Sequence, residues 1–432
     1  MEITKNTGKI LQLLILAVLS LLFISCREMN EWLDIKRRKA DVMPRTGTDL
    51  QALLDNNNII NNAYPVMGLI SADNLFIPDD RLNSILLNER NAYLWKPDLF
   101  EGSTPGDFLN PYIKITYANI VLERIDQATD LAANQREYNN IKGQALFLRG
   151  FATYSLAQLF CKAYDPATAA ADAGLQLRST SDPNQVFSRS SVQQTYDRIL
   201  ADLQEAATLL PVEALYTSRS SRTAAYALLA KVHLIMGNYQ QALDHAELAL
   251  QAENTLLDFN SDFISPSGTY RFPPFSVQNG NPEFIFYAEG ISLSSTNPAL
   301  GVSFVEPLLY NSYHDDDLRK TIFFRKHANG FYEPVGRYTG ATPVFAGLAV
   351  NELYLIRAEC RARAGDYTGA KGDLNLLLEK RYKSGTFVPL DTLDQDVLAT
   401  VLAERRKELA FTGQIRWEDL RRLNRDPKFA KT

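Results

Sequence analysis

The sequence predicts a mostly all-α fold, a set of helical hairpins interrupted by one long loop-rich insert, and three observations carry that reading. The stretch from Arg222 to Leu250 reads as two short amphipathic helices that meet at Gly237 and Asn238. Tyr226, Leu229, Ala230 and His233 share a face of the first helix, while Tyr239, Ala242, Ala246 and Ala249 recur at spacings of three and four along the second. A second copy opens at Asn351. Tyr354, Ala358, Gly365, Tyr367 and Ala370 follow Tyr226, Ala230, Gly237, Tyr239 and Ala242 at one constant interval of 128 residues, as 354 stands to 226. Between the copies, over residues 254–344, the helical rhythm breaks at Pro266, Pro273, Pro274, Pro282, Pro298, Pro307 and Pro334. A stretch this long without periodicity in a helical chain reads as a functional insert.

The hairpin pattern resembles a tetratricopeptide hairpin, in which small residues sit where paired helices touch and a glycine closes the first helix. Composition agrees with a globular chain: 432 residues, 46% of them hydrophobic, exclude a disordered or fibrous class. A net charge of −5 argues against a nucleic-acid partner, which would call for a basic face.

Taken in order, Lys5 and Lys9 precede an apolar run from Ile10 to Ile24, too short for a membrane span of roughly 20 residues and placed as an export signal is. Residues 1–25 therefore read as a signal peptide. The Ser25-Cys26 junction resembles a bacterial lipoprotein signal, in which the cysteine, here Cys26, becomes the lipidated first residue. Residues 26–47 are charged and read as a tether whose apolar anchors are Trp32, Leu33 and Ile35, and 48–432 read as a single domain. The two other cysteines, Cys161 and Cys360, lie in apolar helical stretches and are expected as buried free thiols.

A short helix over 50–55 gives way to an irregular, asparagine-rich segment with Pro65 and Pro78, and Tyr93, Trp95 and Phe100 follow on a loop broken by Pro97 and Pro105. Hairpins are expected over about 112–253 and 345–425. The first helix runs over 112–131 and its partner over 136–161, with Ile141, Ala145, Leu148, Ala152, Ser155 and Leu159 on one stripe. Residues 165–190 read as loop. Ser191 and Gln194 have the form of a capping box opening a helix that Pro211 ends. A last helix is expected over 393–411, before a basic run of Arg421, Arg422 and Arg425.

No phosphate loop, HExxH, GxSxG elbow or dinucleotide fingerprint occurs, so no catalytic residue, metal or cofactor is expected. His314, Asp315, Asp316 and Asp317 could offer oxygen ligands to calcium, but a helix start before Leu318-Arg319-Lys320 is the favoured reading. Lys231, His233 and His245 read as solvated or satisfied groups, and Glu404 to Glu408 as a solvated helix face with one or two structural pairs. Loop aromatics are the more informative feature, since flat sugar faces stack on such rings. The ligand site is expected where the segment around Asp73 to Trp95 meets the insert, with Arg81, Trp95, Tyr270, Phe275, Tyr310 and Tyr313 as candidate contacts.

Five segments match one family: GQALFLRGFATYSLAQLF at 143–160, TYDRILADLQEAATLLP at 195–211, the hairpin at 222–250, LYLIRAECRARAGDYTGAKGDLN at 353–375 and ERRKELAFTGQIRWEDLRRLNR at 404–425. With EWLDI soon after Cys26, they resemble the SusD/RagB family of Bacteroidetes outer-membrane lipoproteins across essentially the whole mature chain. The closing motif, with Arg405, Glu408, Leu409, Phe411, Gly413, Arg416, Trp417, Asp419, Leu420 and Arg422, is carried over as structural. The resemblance implies a right-handed α-α superhelix and a binding protein without enzymatic activity. It also implies a lipid-anchored cell-surface protein that takes a nutrient, usually a glycan, and acts as the lid of a SusC-like TonB-dependent transporter. The chain departs from glycan-binding members in having only Trp32, Trp95 and Trp417, so the insert offers no tryptophan platform. The rival readings are a tetratricopeptide-type protein-interaction scaffold and a surface glycoside hydrolase.

Overall fold

Helix α1 (Gly47–Leu54) opens on a reciprocal capping box, Thr46 Oγ1 accepting from Asp49 N and the Asp49 carboxylate from Thr46 N. The computed structural model describes residues 44–276 and 280–431, and from Thr46 onward the chain packs as one compact unit. The scaffold continues through α2 (Gly106–Arg124), α3 (Gln135–Phe160), α4 (Val192–Leu209), α5 (Arg222–Met236) and α6 (Tyr239–Ala252). After the insert come α7 (Val350–Arg363), α8 (Tyr367–Glu379), α9 (Val397–Glu408) and α10 (Ile415–Leu423). Each of α2 to α8 packs on the next in sequence, and α9 closes over α7 and α8. The capping box foreseen for α4 forms, with Gln194 N donating to Ser191 Oγ at 3.1 Å and Ser191 N to Gln194 Oε1 at 2.9 Å. Tyr196, Ile199, Leu203 and Ala206 then bury one face of that helix.

The repeat is structural as well as sequential. Helices α5 and α7 start 128 residues apart, at Arg222 and Val350, and α6 and α8 do the same at Tyr239 and Tyr367. Gly237 and Gly365 end the first helix of each pair at φ 83° and 84°, the left-handed region open to glycine without a Cβ penalty. Ala230, Ala242, Ala358 and Ala370 are all 0% exposed, so the paired helices approach as closely as the alanines foresaw. Helix α6 packs directly on α7. The insert therefore leaves the scaffold and returns to the hairpin it left, and two copies far apart in sequence are neighbours in space.

Three expectations are corrected. Helix α2 begins directly after Pro105 rather than at 112 and ends in two 3-10 turns, Ile125–Gln127 and Thr129–Leu131. The loop over 165–190 carries an antiparallel pair, β2 (Ala173–Gln176) with β3 (Arg189–Ser191). Glu404 to Glu408 are no solvated face: Glu404, Arg405, Lys407 and Glu408 are buried. The physical reason is that charged groups from the insert, from α7 and α10 and from Arg381 just after α8 enclose them. Arg319 reaches Asp317, Glu404 and Glu408 at 2.7, 2.8 and 3.1 Å, and Arg381 reaches Glu283 and Glu408 at 2.6 and 2.8 Å. Arg405 joins Glu352 and Asp419, Arg422 joins Glu359 and Asp419, and Lys231 lies 3.4 Å from both Glu352 and Glu418. Burial opposes the charge on Glu408, but Arg381 and Arg319 beside it hold its carboxyl down to about 2. Lys231 is accordingly a buried ion-pair member, not a solvated one. Cys161 and Cys360 are free and buried, and burial pushes their thiols up to about 11 and about 12.

The insert has regular structure of its own. Strand β4 (Phe284–Phe286) pairs with β8 (Leu348–Ala349), and β6 (Phe324–Lys326) with β7 (Tyr332–Pro334) in a hairpin. Strand β5 (Phe304–Val305) pairs with β1 (Leu75–Phe76) from the irregular segment before α2. Phe272, Phe284, Tyr287, Phe323, Tyr338 and Phe345 pack as its core.

Candidate functional site

The segment 70–100 and the insert meet, as the expected site requires, through the β1–β5 ladder, with Leu75 opposite Val305 and Phe76 opposite Phe304. Two sets of polar bonds hold the 70–100 segment, one to helix α10 and one to the insert. Asp73 takes Arg416 bidentately at 2.5 and 2.8 Å, and the Arg416, Arg406 and Lys431 charges hold its carboxyl well below the usual range against the effect of burial. On the far side of β1 the buried Glu89, on the short helix Leu87–Tyr93, accepts from Ser294 N, Ser294 Oγ and Ser295 N at 2.7 to 2.9 Å.

The ladder brings three phenylalanines together. Phe76 and Phe331 meet edge-on at 4.9 Å, Phe304 lies 5.3 Å from Phe331, and His327 lies 5.3 Å from Phe304. Phe331 is 40% exposed and is offered by the tight turn of the β6–β7 hairpin, where His327 N donates to Phe331 O and Gly330 takes φ 91°. Arg81 lies 5.3 Å from the Phe304 ring centre, and its guanidinium makes no hydrogen bond or ion pair with the described residues. Next to it Gly301, at φ 55°, leaves open a space whose would-be Cβ lies 3.2 Å from His327 Nε2 and 3.5 Å from both Arg81 Nη1 and Glu333 Oε1. A side chain there would occupy the gap between a cation, an imidazole and a carboxylate. The junction thus presents apolar ring area beside a planar donor that has no partner among the described residues, a pairing suited to a ligand with both C–H faces and oxygen acceptors.

The six candidate contacts do not all converge here. Arg81 is part of the junction. Trp95 is 67% exposed at φ 52°, an uncommon conformation for a residue with a side chain; its indole N–H donates to Ser71 O, and its ring lies 5.6 Å from Trp417, edge to face. Tyr310 is half-buried and stacks on Tyr332, the residue after Phe331, at 3.6 Å. Tyr270 and Phe275 belong to another part of the insert, Tyr270 bonding Thr342 at 2.8 Å and Phe275 lying flat on Tyr287 at 3.5 Å. Tyr313 is 2% exposed with its hydroxyl given to Lys407 O, so its ring is core and not surface. Sequence reading passed over Phe76, Gly301, His327, Phe331 and Glu333. The one signal for them was the Asn329-Gly330 turn, which announces a hairpin but not what its tip faces.

His314 to Asp317 form structural pairs: Asp315 with Lys320, Asp316 with Lys383 and Asp317 with Arg319, whose backbone N–H at the start of the short helix Arg319–Ile322 also bonds Asp317. Among the described residues no group of three or more His, Cys, Asp or Glu is placed to hold a metal, and no helix is long and apolar enough to cross a membrane. Cys26 and the signal lie outside the described residues.

Comparison with known proteins adds the following. Residues 31–234 match a family described as SusD-like, starch-binding associating with outer membrane, and residues 323–431 match the SusD family. A SusD-like protein P2 from Formosa agariphila is 26% identical over 357 residues, 70% of this chain and 68% of its own. Among solved structures, a putative sugar binding protein from Bacteroides vulgatus superposes with a TM-score of 0.70 at 22% identity, covering 88% of this chain and 87% of its own. A SusD superfamily protein from Bacteroides thetaiotaomicron gives 0.65 at 21%, covering 87% and 89%.

Proposed function

Because the chain belongs to the SusD family, we propose that it is a cell-surface glycan-binding protein, without enzymatic activity, that delivers its ligand to a SusC-like TonB-dependent transporter and acts as that transporter's lid. The observation that carries the reading is the junction of the β1–β5 ladder, where Phe76, Phe331 and the unpartnered Arg81 stand together at the surface. Stacking of sugar C–H faces on such rings, with a guanidinium satisfying ring hydroxyls, binds a glycan by contact alone. Trp95 supplies a second exposed ring, and Tyr310 backs the site through Tyr332. The matched family's starch binding and association with the outer membrane support both the ligand class and the location.

Attachment is proposed through a lipid on Cys26, with residues 26–47 as tether. A lid on a barrel would contact it over an area comparable to an interdomain interface, on the order of 600 to 1,500 Å². The experiment is incubation of the purified protein with starch and other polysaccharides. Depletion of protein onto a polysaccharide with no new reducing ends is expected; new reducing ends would make it a hydrolase, and no depletion by any polysaccharide would remove the glycan reading. Crosslinking before mild detergent extraction tests the partner, since recovery with no large β-barrel protein would contradict the lid. Cys26→Ala should release the protein from the membrane fraction, and its retention there would contradict the anchor.

A further inference from the structure

Helix α2 carries a lysine at a core position. Lys114 is 1% exposed, and its side chain makes no hydrogen bond or ion pair with any described residue. Its Nζ lies 4.6 Å over the ring of Tyr64, which is itself buried, packs 4.7 Å from Phe151 of α3 and gives its hydroxyl to Ile60 O. The negative face of the ring attracts a cation but does not replace the water that burial removes. Burial accordingly pushes the Lys114 ammonium down to about 7.

The ionisable groups on the elements around it are engaged elsewhere. Arg149 on α3 is bound by Asp202, Asp55 just after α1 by Arg219, and Glu289 of the insert takes the Tyr287 hydroxyl. Asp107 lies two turns earlier on the same face of α2, roughly 10 Å along its axis. It accepts from Val66 N and Met67 N at 2.9 and 3.1 Å, and burial raises its carboxyl.

Tyr64 is also the seam between scaffold and insert. Its N–H donates to Glu289 O and its carbonyl accepts from Ile291 N, both at 2.9 Å. Asn61 completes the seam, its carbonyl accepting from Glu289 N and its Nδ2 donating to Tyr287 O, both at 2.7 Å. The fit is tight: a Cβ on Gly290 would meet Val66 Cγ1 at 2.4 Å. A shift of Tyr64 therefore passes directly to the insert.

We propose that Lys114 is a proton-sensitive latch, which as a neutral amine lets Tyr64 hold the insert on the scaffold and as an ammonium without a counter-ion loosens that seam. An amine released into water keeps its proton up to about 10.5, so between about 7 and 10.5 the opened seam binds more protons than the closed one. Opening grows easier as pH falls through that window and changes little below it. The latch acts whatever the aromatic junction binds.

The test is hydrogen exchange of the purified full-length chain, read by mass spectrometry on peptides covering 58–66 and 285–292 between pH 6 and 9.5 and corrected for the intrinsic rate. The open population should rise about tenfold or more from pH 8.5 to pH 7, and less than about twofold further by pH 6. Lys114→Met, of similar length and without charge, should abolish this dependence. Protection that is flat with pH in the parent, or a dependence that Lys114→Met retains, would overturn the proposal. Should that variant fail to fold, titration of the parent with carbon-13-labelled lysine decides: one lysine with a midpoint near 7 supports the latch, and all lysines titrating near 10.5 overturn it.

Discussion

In the two hairpins the helices meet through alanines with no exposed surface, whereas the insert between them is held by aromatic rings and by arginines buried against carboxylates. Ala230 and Ala242 repeat as Ala358 and Ala370, and the contact they make needs nothing from outside the hairpin. Glu283 in the insert, by contrast, is satisfied by Arg381 after α8, which is shared with Glu408 at the end of α9. The hairpins are locally determined and the insert is determined by groups from four parts of the chain. The difference teaches where function has room: the unpartnered Arg81 stands where the insert meets another irregular segment, outside the close small-residue contacts of the hairpins.

The sharpest way to break this contrast is to remove a shared cation. Arg381→Met leaves Glu283 and Glu408 buried without their partner, and a loss of about 3 to 5 kcal/mol in denaturant unfolding is expected. A loss under 1 kcal/mol would mean that the ionic lattice does not clamp the insert. The second is pH. The folded-state carboxyl of Glu408 sits near 2, below its ordinary value of 4.5, so its contribution is fully present above about 4.5 and is lost as pH falls toward 2. Glu283 shifts the other way, raised by burial in spite of Arg381, and offsets part of this. Glu408→Gln should therefore flatten the acid limb of the stability profile relative to the parent, and an unchanged limb would contradict the assignment.

Within the scaffold, Ala242→Leu and Ala370→Leu should each overpack and cost about 1 to 3 kcal/mol, read as a lower melting temperature. Unchanged melting of both would undo the equivalence of the two hairpins. The smallest effect sharpens the same equivalence. Gly237→Ala and Gly365→Ala meet no atom within 4 Å, so only the positive φ is at stake, and each should cost about 1 kcal/mol, alike in both copies.

These contrasts also explain what could be read in the sequence. The hairpins were legible because helix periodicity and small residues are local signals, and the constant interval of 128 residues confirmed one copy by the other. The fate of Glu404 to Glu408 was not legible. A run of charges on a helix reads as solvated unless the distant Arg319, Arg381, Glu352 and Asp419 are known to surround it. For the candidate site, the meeting of the 73–95 segment with the insert was foreseen, as was Arg81 beside it. Phe76 and Phe331 were missed because a two-residue ladder and a hairpin tip carry no periodicity, and Tyr313 was misplaced because a ring in a loop looks the same whether it faces water or Lys407.

The most direct test of the central claim is titration of a polysaccharide that depletes the native protein against Arg81→Ala and Phe331→Ala, with melting measured alongside. The account predicts that both variants bind at least tenfold more weakly, about 1.4 kcal/mol or more, at unchanged melting temperature. Full binding in both variants, or loss of binding only together with loss of stability, would contradict it.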